Sequence, residues 1–263
     1  MLTPLPTAAA QAPPLVEVRR LSQKYQTPEG EVEAIRDVSF AVRRGEFVSL
    51  VGPSGCGKST LLSILAGLVV PSGGEALVEG RPAARGDAGV GYMLQHDHLF
   101  EWRTIEQNVL LGLEVRHALT AESRARAVDL LTTYGLGEFR HATPSHLSGG
   151  MRQRAALIRT LAPGPRLLLL DEAFSALDYQ TRLSVTSDVH RILRREQATA
   201  LIVTHDISEA VALSDRVIVL SPRPATVRAE FAIPLADLPP EQRRGHPHFN
   251  LCFEQIWKEL DSK

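Results

Sequence analysis

Gly52-Pro53-Ser54-Gly55-Cys56-Gly57-Lys58-Ser59 fits the pattern G-x-x-x-x-G-K-[ST]. Such a loop wraps phosphate groups with its backbone N–H groups, and it needs glycines because the wrapping demands φ values that a Cβ resists. The apolar run Phe47–Val51 precedes the loop and the helical run Thr60–Leu65 follows it. The loop therefore opens a helix, whose N-terminus adds partial positive charge. In that setting Lys58 bridges the β- and γ-phosphates of a nucleotide, Ser59 turns its hydroxyl to Mg²⁺, and Thr60 joins the same site. Average residue usage produces such a match by chance in on the order of one sequence in a hundred. Lysine is scarce in this chain, at Lys24, Lys58, Lys258 and Lys263, so its presence here carries extra weight. Cys56 lies near Lys58 and a helix N-terminus, both of which lower a thiol's pKa. An acidic, reactive Cys56 that bound phosphate shields from alkylation is expected, with Cys252 as its control.

Arg166-Leu167-Leu168-Leu169-Leu170-Asp171-Glu172 is a buried-strand pattern that stops abruptly at two carboxylates. Acids in that position stand at the carboxyl edge of a parallel sheet, where ligands bind. Asp171 there holds Mg²⁺ through water, and Glu172 polarises the attacking water. Taken alone, the pair also fits a helix N-terminus decorated with acids. Combined with the phosphate loop, it points to phosphoryl chemistry.

Ser148-Gly149-Gly150 precedes a helix whose Met151, Ala155, Ile158 and Ala162 share one face. The two glycines expose backbone N–H groups to an anion, a second phosphate-binding terminus. Residue physics alone favours the plainer role, a serine N-cap without a ligand.

These motifs must be positioned by a sheet. Apolar runs recur at Phe47–Val51, Val90–Leu94, Leu167–Leu170, Leu201–Val203 and Val217–Leu220, with stretches of helical length between several of them. That alternation predicts an α/β fold with a mostly parallel sheet. Leu15–Leu21 and Glu31–Val42 alternate apolar and polar residues across a turn-rich Thr27-Pro28-Glu29-Gly30, which predicts an antiparallel β layer at the N-terminus. Between Thr104 and Ala162 the strand signal disappears, and helices are predicted over Thr104–Val115, Ala121–Tyr134 and Gly149–Ala162. They form a helical subdomain at about 96–162 within a domain spanning 15–233. Residues 234–263 form an extension in which Phe249, Cys252, Phe253, Ile256, Trp257 and Leu260 fall at helical spacing. Residues 1–14 read as a disordered tail, because Pro4, Pro6, Pro13 and Pro14 break the apolar core that a signal peptide needs.

The chain of 263 residues is 44% hydrophobic, and 29 basic residues against 30 acidic ones leave a net charge of -1. No global basic field exists to hold a polyanion, so no nucleic-acid partner is expected. Two distant cysteines, Cys56 and Cys252, make neither a disulfide framework nor a zinc site and suit a reducing compartment. Aliphatic runs such as Leu167–Leu170 fall far short of the ~18 to 20 residues of a spanning helix. His96 and His98 flank Asp97, and His246 and His248 flank Pro247; neither pair offers the convergent ligands of a metal site.

Leu147-Ser148-Gly149-Gly150-Met151-Arg152-Gln153-Arg154, set between the phosphate loop and Leu167–Glu172, resembles the signature of ATP-binding cassette (ABC) transporter ATPase subunits. The resemblance runs from about Leu15 to Glu230. It implies a P-loop NTPase core with the antiparallel layer and the inserted helices of that family, and ATP hydrolysis with Mg²⁺ in a dimer that buries two ATPs. Ser148, Gly149 and Gly150 of one subunit then cap the γ-phosphate held by the partner's loop. The resemblance further implies that Tyr25 stacks on adenine and that Gln95 contacts Mg²⁺ and the attacking water. Ser175-Ala176-Leu177-Asp178 crosses the dimer interface, and His205 bonds the γ-phosphate and senses hydrolysis. Ala173 departs from the family, where a proline usually follows the glutamate, and Gly164 and Pro165 tighten the turn before the strand. Neither change removes a reacting group.

A single cassette resembles bacterial importers, whose permease and substrate-binding protein are separate chains. Leu99-Phe100-Glu101-Trp102-Arg103-Thr104, Ser221-Pro222-Arg223-Pro224 and Arg243–Leu260 look like the nitrate, sulfonate and taurine importer group. What that resemblance implies is an ATPase that pairs with itself or with a second ATPase subunit, peripheral on the cytoplasmic face of the inner membrane. The rival reading is a soluble ABC ATPase acting on nucleic acid or the ribosome. Such proteins usually carry long coiled coils or tandem cassettes, and neither is present here. A generic P-loop kinase has no use for the signature. Trp102 is expected at the edge of a groove that receives a permease helix, whereas Phe100 competes for a place in internal packing.

Overall fold

The computed structural model describes residues 13–28, 30–83 and 89–261. The expected disordered tail falls outside the described residues, Pro13 and Pro14 excepted. In chain order the elements are β1 (Val16–Thr27), β2 (Gly30–Val42), β3 (Phe47–Val51), α1 (Lys58–Leu65), β4 (Gly73–Val78), β5 (Arg81–Pro82) and β6 (Val90–Met93). Then come α2 (Ile105–Val115), α3 (Ala121–Thr133), α4 (Gly149–Leu161), β7 (Leu167–Asp171), α5 (Tyr179–Arg195) and β8 (Thr199–Thr204). The chain closes with α6 (Ile207–Leu213), β9 (Arg216–Leu220), β10 (Val227–Ala232), α7 (Pro240–Gly245) and α8 (Pro247–Asp261).

Two sheets form. One is antiparallel, in the order β2-β1-β4-β5; the other runs β10-β9-β3-β8-β7-β6. Strands β9, β3, β8, β7 and β6 are mutually parallel, and β10 closes one edge antiparallel to β9. Parallel strands need helical crossovers, so both faces of the parallel part of this sheet are covered, and its central strands β3, β7 and β8 are fully buried and mostly apolar. Strand β7 shows how the faces divide. Leu167 and Leu169 pack with the antiparallel layer and α1, while Leu168 and Leu170 pack with the helices inserted between β6 and β7. Period-two alternation sends neighbouring side chains to opposite faces.

The three inserted helices begin where the sequence has capping residues. Thr104 and Thr120 each form a capping box, and Ser148 accepts from the Met151 N–H. Strand β4 has no counterpart among the sequence expectations, and it opens on two glycines, Gly73 and Gly74. Gly74 sits at φ +73°, and a Cβ there would meet the Arg20 carbonyl oxygen at 2.2 Å. Close backbone approach, not flexibility, requires glycine at this position.

The extension after β10 is bound to α6. Arg243 of α7 is fully buried and donates to the carbonyls of Ser214 (2.7 Å), Leu238 (2.7 Å), Ala236 (2.6 Å) and Val211 (3.3 Å). Four acceptors offset the desolvation of its charge. Helix α8 buries Phe249, Cys252 and Ile256 with residues of α6, β9 and β10, the packing role that its amphipathic pattern predicts.

Candidate active site

Strand β3 delivers the loop Gly52–Gly57 to the carboxyl edge of the parallel sheet, and α1 starts at Lys58. Gly57 has φ +122°, and a Cβ there would stand 3.0 Å from the Ala34 carbonyl oxygen. Ser54 and Gly55 are exposed at the tip, Pro53 is half-buried, and Thr60 is half-buried in the first turn of α1. Lys58 is only 5% exposed, and its Nζ donates to the carbonyls of Gly52 (2.8 Å) and Pro53 (3.0 Å). Its cation is folded across the mouth of the loop it serves.

Strand β7 brings the acids to the same edge. Ser59 Oγ donates to Asp171 Oδ1 (3.0 Å), and the Tyr92 hydroxyl of β6 donates to Oδ2 (3.1 Å). Burial pushes the Asp171 carboxyl above its ordinary range, against the two hydrogen bonds that hold it down. Burial likewise pushes Tyr92 up to about 12, so it stays a neutral donor. A hydroxyl and a desolvated carboxylate with neutral partners are hard oxygen donors in want of positive charge, and this set fits Mg²⁺.

Glu172 has φ +45°, an uncommon conformation for a side-chain-bearing residue. Its N–H donates to the Val203 carbonyl of β8 (2.9 Å), and its Oε2 lies 3.2 Å from Nδ1 of His205. His205 follows β8 and is exposed. The backbone turn points the carboxylate out of the sheet edge toward the histidine. Gln95, exposed beyond β6, donates from Nε2 to Ser175 Oγ (3.2 Å), and Ser175 Oγ donates to the Glu172 carbonyl (2.9 Å). One hydrogen-bonded chain thus runs from Gln95 through Ser175 to Glu172.

The remaining predicted residues stand apart from this cluster. Ser148 and Gly149 are exposed at the start of α4, and Gly150 is buried against Thr181 and Val185. Gly149 lies against Leu177, so the signature and the 175–178 loop form one surface. Asp178 is exposed and caps α5 by accepting from the Thr181 N–H (3.0 Å), which lowers its carboxyl pKa. Among the described residues none of these bonds to the phosphate loop of the same chain. Tyr25, on β1, is 38% exposed.

The expectation of an acidic Cys56 is overturned. The side chain is 1% exposed, with Sγ 4.0 Å from Lys58 Nζ, and burial pushes the thiol up by more than the charges of Lys58 and Arg223 pull it down. Desolvation outranks a nearby cation that is itself spent on carbonyls. Cys252, the intended control, is also buried with a raised pKa. At neutral pH, iodoacetamide should therefore label Cys56 far more slowly than an unfolded-chain cysteine, with or without nucleotide, as followed by mass spectrometry. Rapid labelling of the nucleotide-free protein at pH 7 would contradict this.

Two further side chains reach the site without belonging to its motifs: Tyr92, and Arg223, whose Nη2 donates to the Gly55 carbonyl (2.8 Å). Tyr92 carries no motif, and only its strand position opposite Leu169 hints at it. Leu99 is buried, Phe100 is half-buried, and Trp102 is 78% exposed, stacked on Phe100 with ring centroids 4.8 Å apart. His96 and His98, and likewise His246 and His248, pack on one another; among the described residues no group of three or more metal-ligating side chains occurs.

A phosphate loop, an acidic strand end and a histidine beside the second acid on one edge of a parallel sheet are the layout of a nucleotide-hydrolysing P-loop protein. The ABC transporter family model matches residues 35–175. An uncharacterized ABC transporter ATP-binding protein of Bacillus subtilis, YtlC, is 51% identical over 94% of this chain and 96% of its own length. The taurine import ATP-binding protein TauB of Roseobacter denitrificans is 37% identical over 92% of each chain. The nitrate import ATP-binding protein NrtD of Synechocystis is 41% identical over 84% of this chain and 83% of its own. Among solved structures, the dimeric ABC transporter cassette MJ0796 superposes with a TM-score of 0.71 at 30% identity, covering 83% of this chain and 98% of that one. The same cassette in a post-hydrolysis state bound to ADP and Pi gives a TM-score of 0.70 at 31% identity, with the same coverage. The chain belongs to the ABC transporter family, as an ATP-binding and ATP-hydrolysing subunit.

Proposed function

We propose that this chain energises a bacterial importer of a small solute, an anion such as nitrate, a sulfonate or taurine. It works as a pair, either a homodimer or a heterodimer with a second ATPase subunit. The observation that carries the hydrolytic part of the reading is Glu172, turned out of the sheet edge at φ +45° beside His205 and one residue from Asp171. In this account Lys58 leaves the carbonyls of Gly52 and Pro53 for the β- and γ-phosphates, and the loop N–H groups hold the phosphate chain. Ser59, Gln95 and Asp171 would hold Mg²⁺, which would supply positive charge against that developing on the phosphates. Glu172 orients the attacking water and takes its proton, and His205 bonds the γ-phosphate. Tyr25 stacks on adenine.

The partner completes each site. Ser148, Gly149 and Asp178 present an exposed polar face that their own phosphate loop leaves unused, and a second chain set head to tail places that face on the γ-phosphate. The related cassette MJ0796 is described as dimeric.

The import direction and solute class rest on the taurine and nitrate import relatives. Among the described residues no helix is long and apolar enough to cross a membrane. By likeness to those import ATP-binding relatives, the chain works with permease subunits, peripheral on the cytoplasmic face of the inner membrane, and with a substrate-binding protein on the far side. Reconstituted with permease and binding protein in vesicles, the chain should hydrolyse ATP faster when taurine, a sulfonate or nitrate loads the binding protein. No stimulation by any of these solutes would refute the solute class.

Trp102 supports a docking role in the same assembly. A large, exposed aromatic side chain stacked on a half-buried one is the kind of anchor interfaces use. Trp102→Ala should leave the melting temperature and ATP affinity unchanged, yet reduce co-purification with the permease and uncouple transport. A large drop in melting temperature with assembly intact would show instead that Trp102 is a packing residue.

A further inference from the structure

Arg182 stands in the first turn of α5 and touches neither Glu172 nor His205, yet it bonds to the neighbours of both. Its Nη2 donates to the carbonyls of Leu177 (2.8 Å) and Ser175 (3.3 Å), the loop on the exposed signature face. Its Nη1 lies 3.6 Å from Asp206 Oδ2, the carboxylate that follows His205. Ser175 in turn holds the Glu172 carbonyl and receives the Gln95 amide. One planar cation therefore reaches both segments that set the Glu172–His205 geometry.

Two buried polar atoms beside this arrangement lack partners. Arg182 Nε is buried without a hydrogen-bond partner, and so is Glu209 Oε1, one helical turn beyond Asp206. Buried polar atoms without partners are costly. The Arg182 charge acts on the Glu209 carboxyl, whose pKa burial and Asp206 push up to about 8. Asp206 has a separate duty at Oδ1, where it caps α6 by accepting from the N–H groups of Ser208 (2.8 Å) and Glu209 (3.2 Å).

We propose that Arg182 is a positioning residue for hydrolysis: it ties the 175–178 loop to the His205–Asp206 segment, so that a partner chain pressing on the loop also sets His205 beside Glu172. The inference rests on the reading of Glu172 and His205 given above. Arginine suits the task because one rigid fork serves two carbonyls and a carboxylate together, whereas lysine is a point charge on a flexible stem.

The test is a set of four variants, Arg182→Ala, Arg182→Lys, Asp206→Asn and the double Arg182→Ala/Asp206→Asn, with kcat, KM for ATP and melting temperature measured on each. Asparagine caps a helix as well as aspartate does, so Asp206→Asn removes the charge and keeps the cap. Misplacement of a reacting group by about 1 Å costs on the order of 100-fold. Arg182→Ala should lower kcat to that extent with KM unchanged, and Arg182→Lys should restore little of it. The double variant should be no slower than Arg182→Ala alone, because both changes break one linkage. Native kcat in Arg182→Ala, full rescue by lysine, or losses that multiply in the double variant would each overturn the proposal. If Arg182→Ala does not fold, Arg182→Lys and Asp206→Asn decide it by the same kcat criterion. Glu172→Gln serves as the reference: if it still turns over, the underlying reading fails, whereas an inactive Glu172→Gln beside a native-rate Arg182→Ala sinks only the linkage.

Discussion

Glu172→Gln should bind ATP with native affinity and hydrolyse it ~10²–10⁴-fold more slowly, the usual contribution of a positioned base. Glutamine matches glutamate in shape, and the left-handed backbone at φ +45° is held by the Glu172 N–H bond to Val203, which the substitution leaves in place. The carboxylate that faces His205 at 3.2 Å becomes an amide, and the histidine keeps a partner. What disappears is the ability to accept a proton from water, so the loss belongs to kcat and not to folding or binding. Phosphate release measured under saturating Mg·ATP reads it, and near-native turnover would remove Glu172 from the role of base.

Lys58→Ala should weaken ATP binding by about 10- to 100-fold, the equivalent of the roughly 1.5–3 kcal/mol carried by hydrogen bonds to a charged group. The lysine is 5% exposed and satisfied by the Gly52 and Pro53 carbonyls before any nucleotide arrives. Exchanging those two carbonyls for phosphate oxygens trades dipoles for full charges, which is where the affinity comes from. Alanine removes the charge and leaves the buried carbonyl of Gly52 without this donor, so a lower melting temperature accompanies the weaker binding. Arginine at this position is no substitute, because its planar fork does not fit a pocket built around a compact ammonium. Calorimetric titration with ATP tests this; unchanged affinity would mean that the phosphates bind elsewhere.

The parts of this molecule that announce themselves in the sequence are those whose local chemistry admits one solution. The phosphate loop needs a strand before it and a helix after it, and Phe47–Val51 and Thr60–Leu65 supply both. Helices α2, α3 and α4 are legible to within a residue at their starts because Thr104, Thr120 and Ser148 cap them. Strand β7 is legible because an unbroken Leu run ending in acids fits a buried parallel strand and little else.

Features that depend on distant packing stay hidden. Strand β4 hides behind Gly73-Gly74, whose second glycine is required by the backbone of β1 about fifty residues earlier. Tyr92 reaches Asp171 only because β6 and β7 are neighbours, a fact of topology that no local pattern encodes. Cys56 inverts its expected chemistry because burial is a tertiary property, while the nearby lysine and helix are local ones. Arg182 and Arg243 look like ordinary surface charges of amphipathic helices, and their acceptors are backbone carbonyls, which leave no mark in a sequence.

In the proposed function the exposed surface of Ser148, Gly149 and Asp178 serves the partner's nucleotide, so the site would be complete only between two chains. Light scattering on Glu172→Gln, with and without Mg·ATP, reads this directly, because the variant traps the bound state. The account predicts a monomer without nucleotide and a dimer at saturating Mg·ATP that retains one ATP per chain. A Glu172→Gln protein that binds ATP to saturation and remains a monomer would contradict it.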